Sequence, residues 1–146
     1  MHTIFVLVGK YASGKKTIAK ELIKRGYKQL ISDERTDDQL RTHDFYIATP
    51  FDVLYDGELA SEDIRFITIY IMTRTDIRWQ RAKKDGCAID EFHKTLRKDN
   101  EMFLDFDLTH ECNYAVKNDN IKKTVNLIEY IMLLETGEIE YVDDKY

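Results

Sequence analysis

The stretch GKYASGKKT, from Gly9 to Thr17, holds residue types suited to chemistry on phosphates. Gly9, Gly14 and Lys15 fit the spacing G-x-x-x-x-G-K. Glycines allow backbone turns that aim successive N–H groups at one phosphate, with Ser13 among the residues that supply them. A helix starting near Lys15 adds the positive end of its dipole. Lys15 is placed to bridge the β- and γ-phosphates of a nucleoside triphosphate. The next position of such a loop usually gives a hydroxyl to Mg2+, but here it is Lys16, which cannot ligate an ion. Thr17 comes one place later, so its hydroxyl points elsewhere on the helix and reaches a metal through water. The extra charge of Lys16 is expected to weaken any dependence on Mg2+. The expectation is a loop that binds a nucleotide.

A second set is cationic. Arg74, Arg78 and Arg81 are spaced by four and three residues, so they share a face if the segment is helical. Phosphoryl transfer develops anionic charge that arginines stabilise, which makes Arg78 and Arg81 catalytic candidates beside Lys15. A solvated basic face is the alternative. An acid that supports Mg2+ should follow an apolar core strand. Asp52 and Asp56 are favoured and Asp33 is a third candidate; each also reads as a loop or turn carboxylate. Cys87 and Cys112 have no metal-ligand spacing and read as free thiols.

The elements that must position these residues follow from the hydropathy pattern. Ile4 to Val8 is continuously apolar and β-branched, as in a strand buried on both faces. Ile18, Ala19, Leu22 and Ile23 recur at helical spacing, and Gly26 ends that helix. YKQLIS reads as a second strand, DERTDDQLRTHD as a loop or frayed helix, and FYIATP as a third strand closed by Pro50. RFITIYI is the clearest later strand. TRTDIRWQRAKKDG reads as a helix stopped at Gly86, and the next helix shares Ile89, Phe92, Leu96 and Phe103 on one face. NYAVKN is a fifth strand, and a strong helix runs from Ile121 to Gly137. EIEYVDDKY is an acidic tail with the pattern of an edge strand. Alternating strands and helices imply right-handed crossovers and a parallel sheet, with ligands bound beyond the strands' carboxyl ends. The expected fold is therefore α/β, a three-layer sandwich with a five-stranded parallel sheet flanked by helices. One nucleotide-binding domain is expected over 1–146, with a lid-like helical segment at 74–104 and an acidic tail at 136–146.

Composition narrows the function classes. A chain of 146 residues with 43% apolar and 34% charged residues is long enough for a core and ordinary for a globular domain. A net charge of −5 argues against general nucleic-acid binding. No apolar run approaches membrane-spanning length, and the first apolar run is too short for a secretion signal, so a cytoplasmic protein is expected.

Two blocks carry a family resemblance: FVLVGKYASGKKTIAKEL, then IYIMTRTDIRWQRAKKDG, DEFHKTLRKDNEMF and NYAVKND before a terminal helix. In this order they resemble the guanylate kinase family of P-loop kinases. The resemblance implies a P-loop kinase fold, ATP and Mg2+ as cofactors, and phosphoryl transfer to a (deoxy)nucleotide or a related small acceptor. It assigns Gly9, Ser13, Gly14, Lys15, Lys16 and Thr17 to the nucleotide's phosphates. Arg78 and Arg81 match lid arginines, Arg97 and Asp99 match the following charged helix, and Asn118 matches a residue beside the adenine. His93 and Lys94 stand where the family has arginines. Arg35 and Arg41 match arginines that hold the acceptor's phosphate, but the acceptor-binding subdomain around them is cut down to DERTDDQLRTHD. That loss keeps a second reading open: a kinase-like module that binds a nucleotide or a protein partner without catalysis.

Overall fold

The computed structural model describes residues 1–31, 35–56, 61, 63–109 and 112–140. In chain order the elements are β1 His2–Gly9, α1 Lys15–Lys24, α2 Asp37–Thr42, β2 Phe45–Ile47, α3 Pro50–Asp56, β3 Ile64–Met72, α4 Thr75–Lys84, α5 Ile89–Met102, α6 Leu104–Thr109, β4 Tyr114–Lys117 and α7 Ile121–Glu135. The strands form one parallel sheet in the order β2-β1-β3-β4. Its centre is β1 against β3, in register from His2 opposite Ile64 to Gly9 opposite Ile71.

Strand alternation sends side chains to two cores. One face carries Phe5, Leu7, Ile67, Ile69 and Ile71 against Ile18 and Leu22 of α1 and Val125, Ile128 and Met132 of α7. The other carries Ile4, Val6, Val8, Tyr46 and Tyr70 against Leu30, Leu40 of α2, Phe103 and Phe106. The result is a helix–sheet–helix sandwich, as expected.

The sheet has four strands among the described residues, where five were expected. The segment YKQLIS starts a fifth and does not complete it. Gln29 makes a single parallel bridge to Phe45, and Leu30 donates to the Phe45 carbonyl at 2.8 Å. The reason lies in the partner: β2 is three residues long, and Asp44 at its start turns its carboxylate onto the Lys28 amide.

Three further differences reflect local chemistry. DERTDDQLRTHD contains α2, nucleated by a capping box in which Thr36 and Gln39 satisfy each other's backbone N–H. Pro50 opens α3 rather than closing a strand, since proline suits a first helical turn. Ile89 is exposed, whereas Phe92 and Phe103 are buried as the spacing predicted. No strand forms at 137–140; the tail beyond 140 and the candidate Asp33 lie outside the described residues.

Candidate phosphate-binding site

β1 delivers Gly9 to the carboxyl end of the sheet, where the chain turns through 10–14 into α1. Ser13 N–H donates to the Lys10 carbonyl at 3.0 Å, and Ala12 and Gly14 both take positive φ, 61° and 98°. A Cβ on Gly9 would lie 2.4 Å from Ser13 Oγ, and one on Gly14 would lie 2.5 Å from Asn118 Nδ2. Both glycines are therefore required by close approach. No side chain caps α1, so the N–H groups of its first turn remain available to an anion.

Lys15 is half-buried and folds back over the loop, its Nζ donating to the Gly9 carbonyl at 2.6 Å. Burial lowers its pKa from the ordinary 10.5; Asp99 opposes that shift, while Lys16 and Arg78 add to it. A cleft of about 490 Å3 opens in front of the loop, lined by Tyr11 to Thr17, Arg81, Lys84, Asp85 and Ile121. Lys16 and Thr17 are exposed on its wall. The Ser13 hydroxyl is buried without a hydrogen-bond partner.

The expected arginines divide by role. Arg81 reaches the loop from α4, donating to the Ala12 carbonyl at 3.3 Å, and lines the cleft. Arg78 is buried and already committed: Nε donates to the Tyr11 carbonyl at 2.8 Å and Nη2 to Asp99 at 3.0 Å. Asp99 also accepts from the Tyr11 N–H at 2.7 Å, so this pair brackets the Tyr11 peptide. Arg74 precedes α4, is exposed beside Asp76, and lines a small pocket at the end of β3 together with Arg78. His93, Lys94 and Arg97 are exposed on α5. Tyr11 and Trp79 both pack near Phe92, with ring centroids at 6.5 and 5.2 Å.

Asn118 lies beneath the loop, fully buried. Its Nδ2 donates to the Ser13 carbonyl at 2.8 Å and its Oδ1 accepts from Thr124 at 2.9 Å. Thr73 donates to the same Ser13 carbonyl at 2.8 Å. Both amide ends of Asn118 are thus engaged within the protein, and the cap of α7 is Asn120.

Arg35, Asp52 and Asp56 form a cluster with Tyr46. Arg35 stacks over the Tyr46 ring at 4.4 Å and approaches Asp56 at 3.5 Å and Asp52 at 3.9 Å. Asp56 is buried and accepts from the Tyr46 hydroxyl at 2.6 Å. At the start of α3 the Thr49 hydroxyl accepts from the Asp52 N–H and the Asp52 carboxylate accepts from the Thr49 N–H. Arg41 is exposed and pairs with Asp63 at 3.4 Å. These residues do not meet at the cleft.

Among the described residues, the expected metal candidates do not come together as a set of side chains that would hold Mg2+. Lys16 fills the hydroxyl position, and neither Asp52 nor Asp56 lines the cleft. Among the described residues no group of three or more His, Cys, Asp or Glu side chains could hold an ion. Of the metal candidates among the described residues, Thr17, Asp52 and Asp56, Thr17 alone faces the cleft.

Sequence reading missed Lys10, Thr73 and Asp107. Lys10 bridges Asp107 at 2.9 Å and Asn100 at 3.3 Å, and Tyr70 donates to Asp107 at 2.8 Å, beside a small pocket of about 150 Å3 at the end of β3. Nothing in their local sequence marks them, because they meet only across the sheet's end.

Solved structures share this fold. A shikimate kinase of Acinetobacter baumannii in complex with shikimate matches at 16% identity and TM-score 0.59, over 94% of this chain and 94% of its own. A deoxyadenosine kinase of M. mycoides with bound dATP matches at 18% identity and TM-score 0.56, over 88% and 98%. A guanylate kinase of Anaplasma phagocytophilum matches at 13% identity and TM-score 0.54, over 91% and 85%. The chain shares the fold of these three proteins. At these identities the likeness concerns the fold, and it extends beyond guanylate kinases. No protein-family model matches the sequence, and no curated protein sequence matches it. Among the described residues, no helix is long and apolar enough to cross a membrane.

Proposed function

We propose that this chain binds ATP at the Gly9–Thr17 loop and transfers its γ-phosphoryl group to a small acceptor, a (deoxy)nucleotide or a related compound. The observation that carries this reading is Lys15, half-buried, with its ammonium 2.6 Å from the Gly9 carbonyl at the mouth of an uncapped helix. An incoming phosphate exchanges that neutral acceptor for a charged one, a stronger hydrogen bond. Arg81 sits over the same cleft and supplies the cation for the transferring group. Arg78 and Asp99 contribute by fixing the loop's tip. The acceptor oxygen forms its bond to γ-phosphorus as the bond to the β-phosphate's bridging oxygen breaks and ADP leaves. A single nucleotide-binding domain in the cytoplasm, where ATP is available, accords with this chemistry. The fold's likeness to enzymes named for deoxyadenosine, shikimate and guanylate supports a small acceptor without choosing among them.

A second reading is binding without transfer, with a nucleotide or protein as partner. It is favoured by Arg35, whose guanidinium is taken up by Asp56 and Tyr46 rather than offered to an acceptor phosphate. One experiment separates the two. ATP is incubated, with and without Mg2+, with a panel of nucleosides, nucleoside monophosphates and their deoxy forms, and products are resolved by chromatography. A phosphorylated acceptor that disappears in Lys15→Ala supports transfer. ATP binding without any product leaves the second reading. Absence of ATP binding overturns both nucleotide readings.

A further inference from the structure

Four cations surround the cleft at the loop: Lys15, Lys16, Arg81 and Lys84, with Asp85 the one carboxylate among the described lining residues. None of the four makes an ion pair among the described residues, although Lys10, Arg25, Arg35, Arg41, Arg65, Arg74 and Arg78 all do. Four like charges gathered around one carboxylate repel one another, and a polyanion relieves that repulsion. Lys16 occupies the place where a metal-ligating hydroxyl is usual, at the exposed start of α1. The carboxylates that could have supported an ion are engaged by Arg35, Thr49 and Tyr46.

We propose that Lys16 is the resident counter-cation of this cleft, so that a nucleoside triphosphate binds here as the free polyanion without a divalent ion. The proposal rests on the reading of the loop as a nucleotide site. A Mg2+–ATP complex brings less negative charge to the four cations and meets, among the described lining residues, the single carboxylate of Asp85. Free ATP presents its full charge to them. Lys15 and Lys16 are consecutive and both line the cleft, so a bound triphosphate offsets the repulsion between their charges.

The test is calorimetric titration of the full chain with ATP, once in excess EDTA and once in excess Mg2+. Wild-type protein is expected to bind at least as tightly in EDTA. Lys16→Ser is expected to lose about tenfold in affinity in EDTA, the effect of one charge-assisted contact, and to change about twofold or less in Mg2+. Lys16→Arg restores the EDTA affinity by restoring the charge. Lys16 is exposed, so the melting temperature of both variants should match wild type and serves as the folding control. Wild-type binding that requires Mg2+, or EDTA affinity unchanged in Lys16→Ser, overturns the proposal while leaving the nucleotide site standing. No binding in either condition overturns the nucleotide site and this proposal together.

Discussion

Gly14 shows how narrowly the loop is specified at the level of one residue. Its φ of 98° is strained for any side chain, and a Cβ there would press on Asn118 Nδ2 at 2.5 Å and Arg81 Nη1 at 3.0 Å. Asn118 cannot retreat without releasing the Ser13 carbonyl. Gly14→Ala should therefore destabilise the fold by about 2 kcal/mol and weaken ATP binding at least about tenfold. Gly26 is the control, with a φ of 99° but nothing near its would-be Cβ. Gly26→Ala should cost about 1 kcal/mol and leave ATP binding intact. Urea midpoints and titration check both, and equal effects of the two substitutions would sink the close-approach explanation.

Between elements, the connection to watch is the one from α4 and α5 to the loop. Asp99 on α5 accepts from the Tyr11 N–H and from Arg78 on α4, and Arg78 in turn donates to the Tyr11 carbonyl. Burial lowers the Arg78 pKa and Asp99 holds it up, so the guanidinium depends on this carboxylate for compensation. Asp99→Ala leaves a buried cation unpaired, and a loss of about 3 kcal/mol is expected. Hydrogen exchange at the Tyr11 amide should accelerate more than at other loop amides. Exchange at Tyr11 that stays at the wild-type rate would show that the bracket does not hold the loop. On the proposed reading Arg78 is a positioning residue, and Arg81, which lines the cleft, is the arginine placed to meet a phosphate.

At the scale of the whole molecule, ligand binding and folding are linked. ATP at about 100 times its Kd should add about 2.7 kcal/mol, or a rise of about 5–10 °C in melting temperature for a chain this size. Lys15→Ala should abolish the rise at the same concentration. A shift that persists in Lys15→Ala would place the nucleotide elsewhere, the pocket of about 420 Å3 at the opposite end of the sheet near His2, Arg65 and Glu138 being the alternative.

The sequence by itself determined the frame of this protein. A short, continuous, β-branched apolar run suits a strand buried on both faces of a parallel sheet, which made β1 and β3 legible. The helical spacing of Ile18 and Leu22, and of Val125, Ile128 and Met132, made α1 and α7 legible. The spacing of Gly9, Gly14 and Lys15 marked the loop, because those residues meet within a few positions of chain. What only the tertiary structure decided is which charges are spent and which are free. Asn118 meets Ser13 across 105 positions, and Arg78 meets Asp99 across 21. The aborted fifth strand has the same origin, since a strand exists only where its neighbour offers a ladder, and β2 offers three residues. Local periodicity is set by side chains a few positions apart. Pairing of charges and strand edges is set by whatever the assembled sheet brings together.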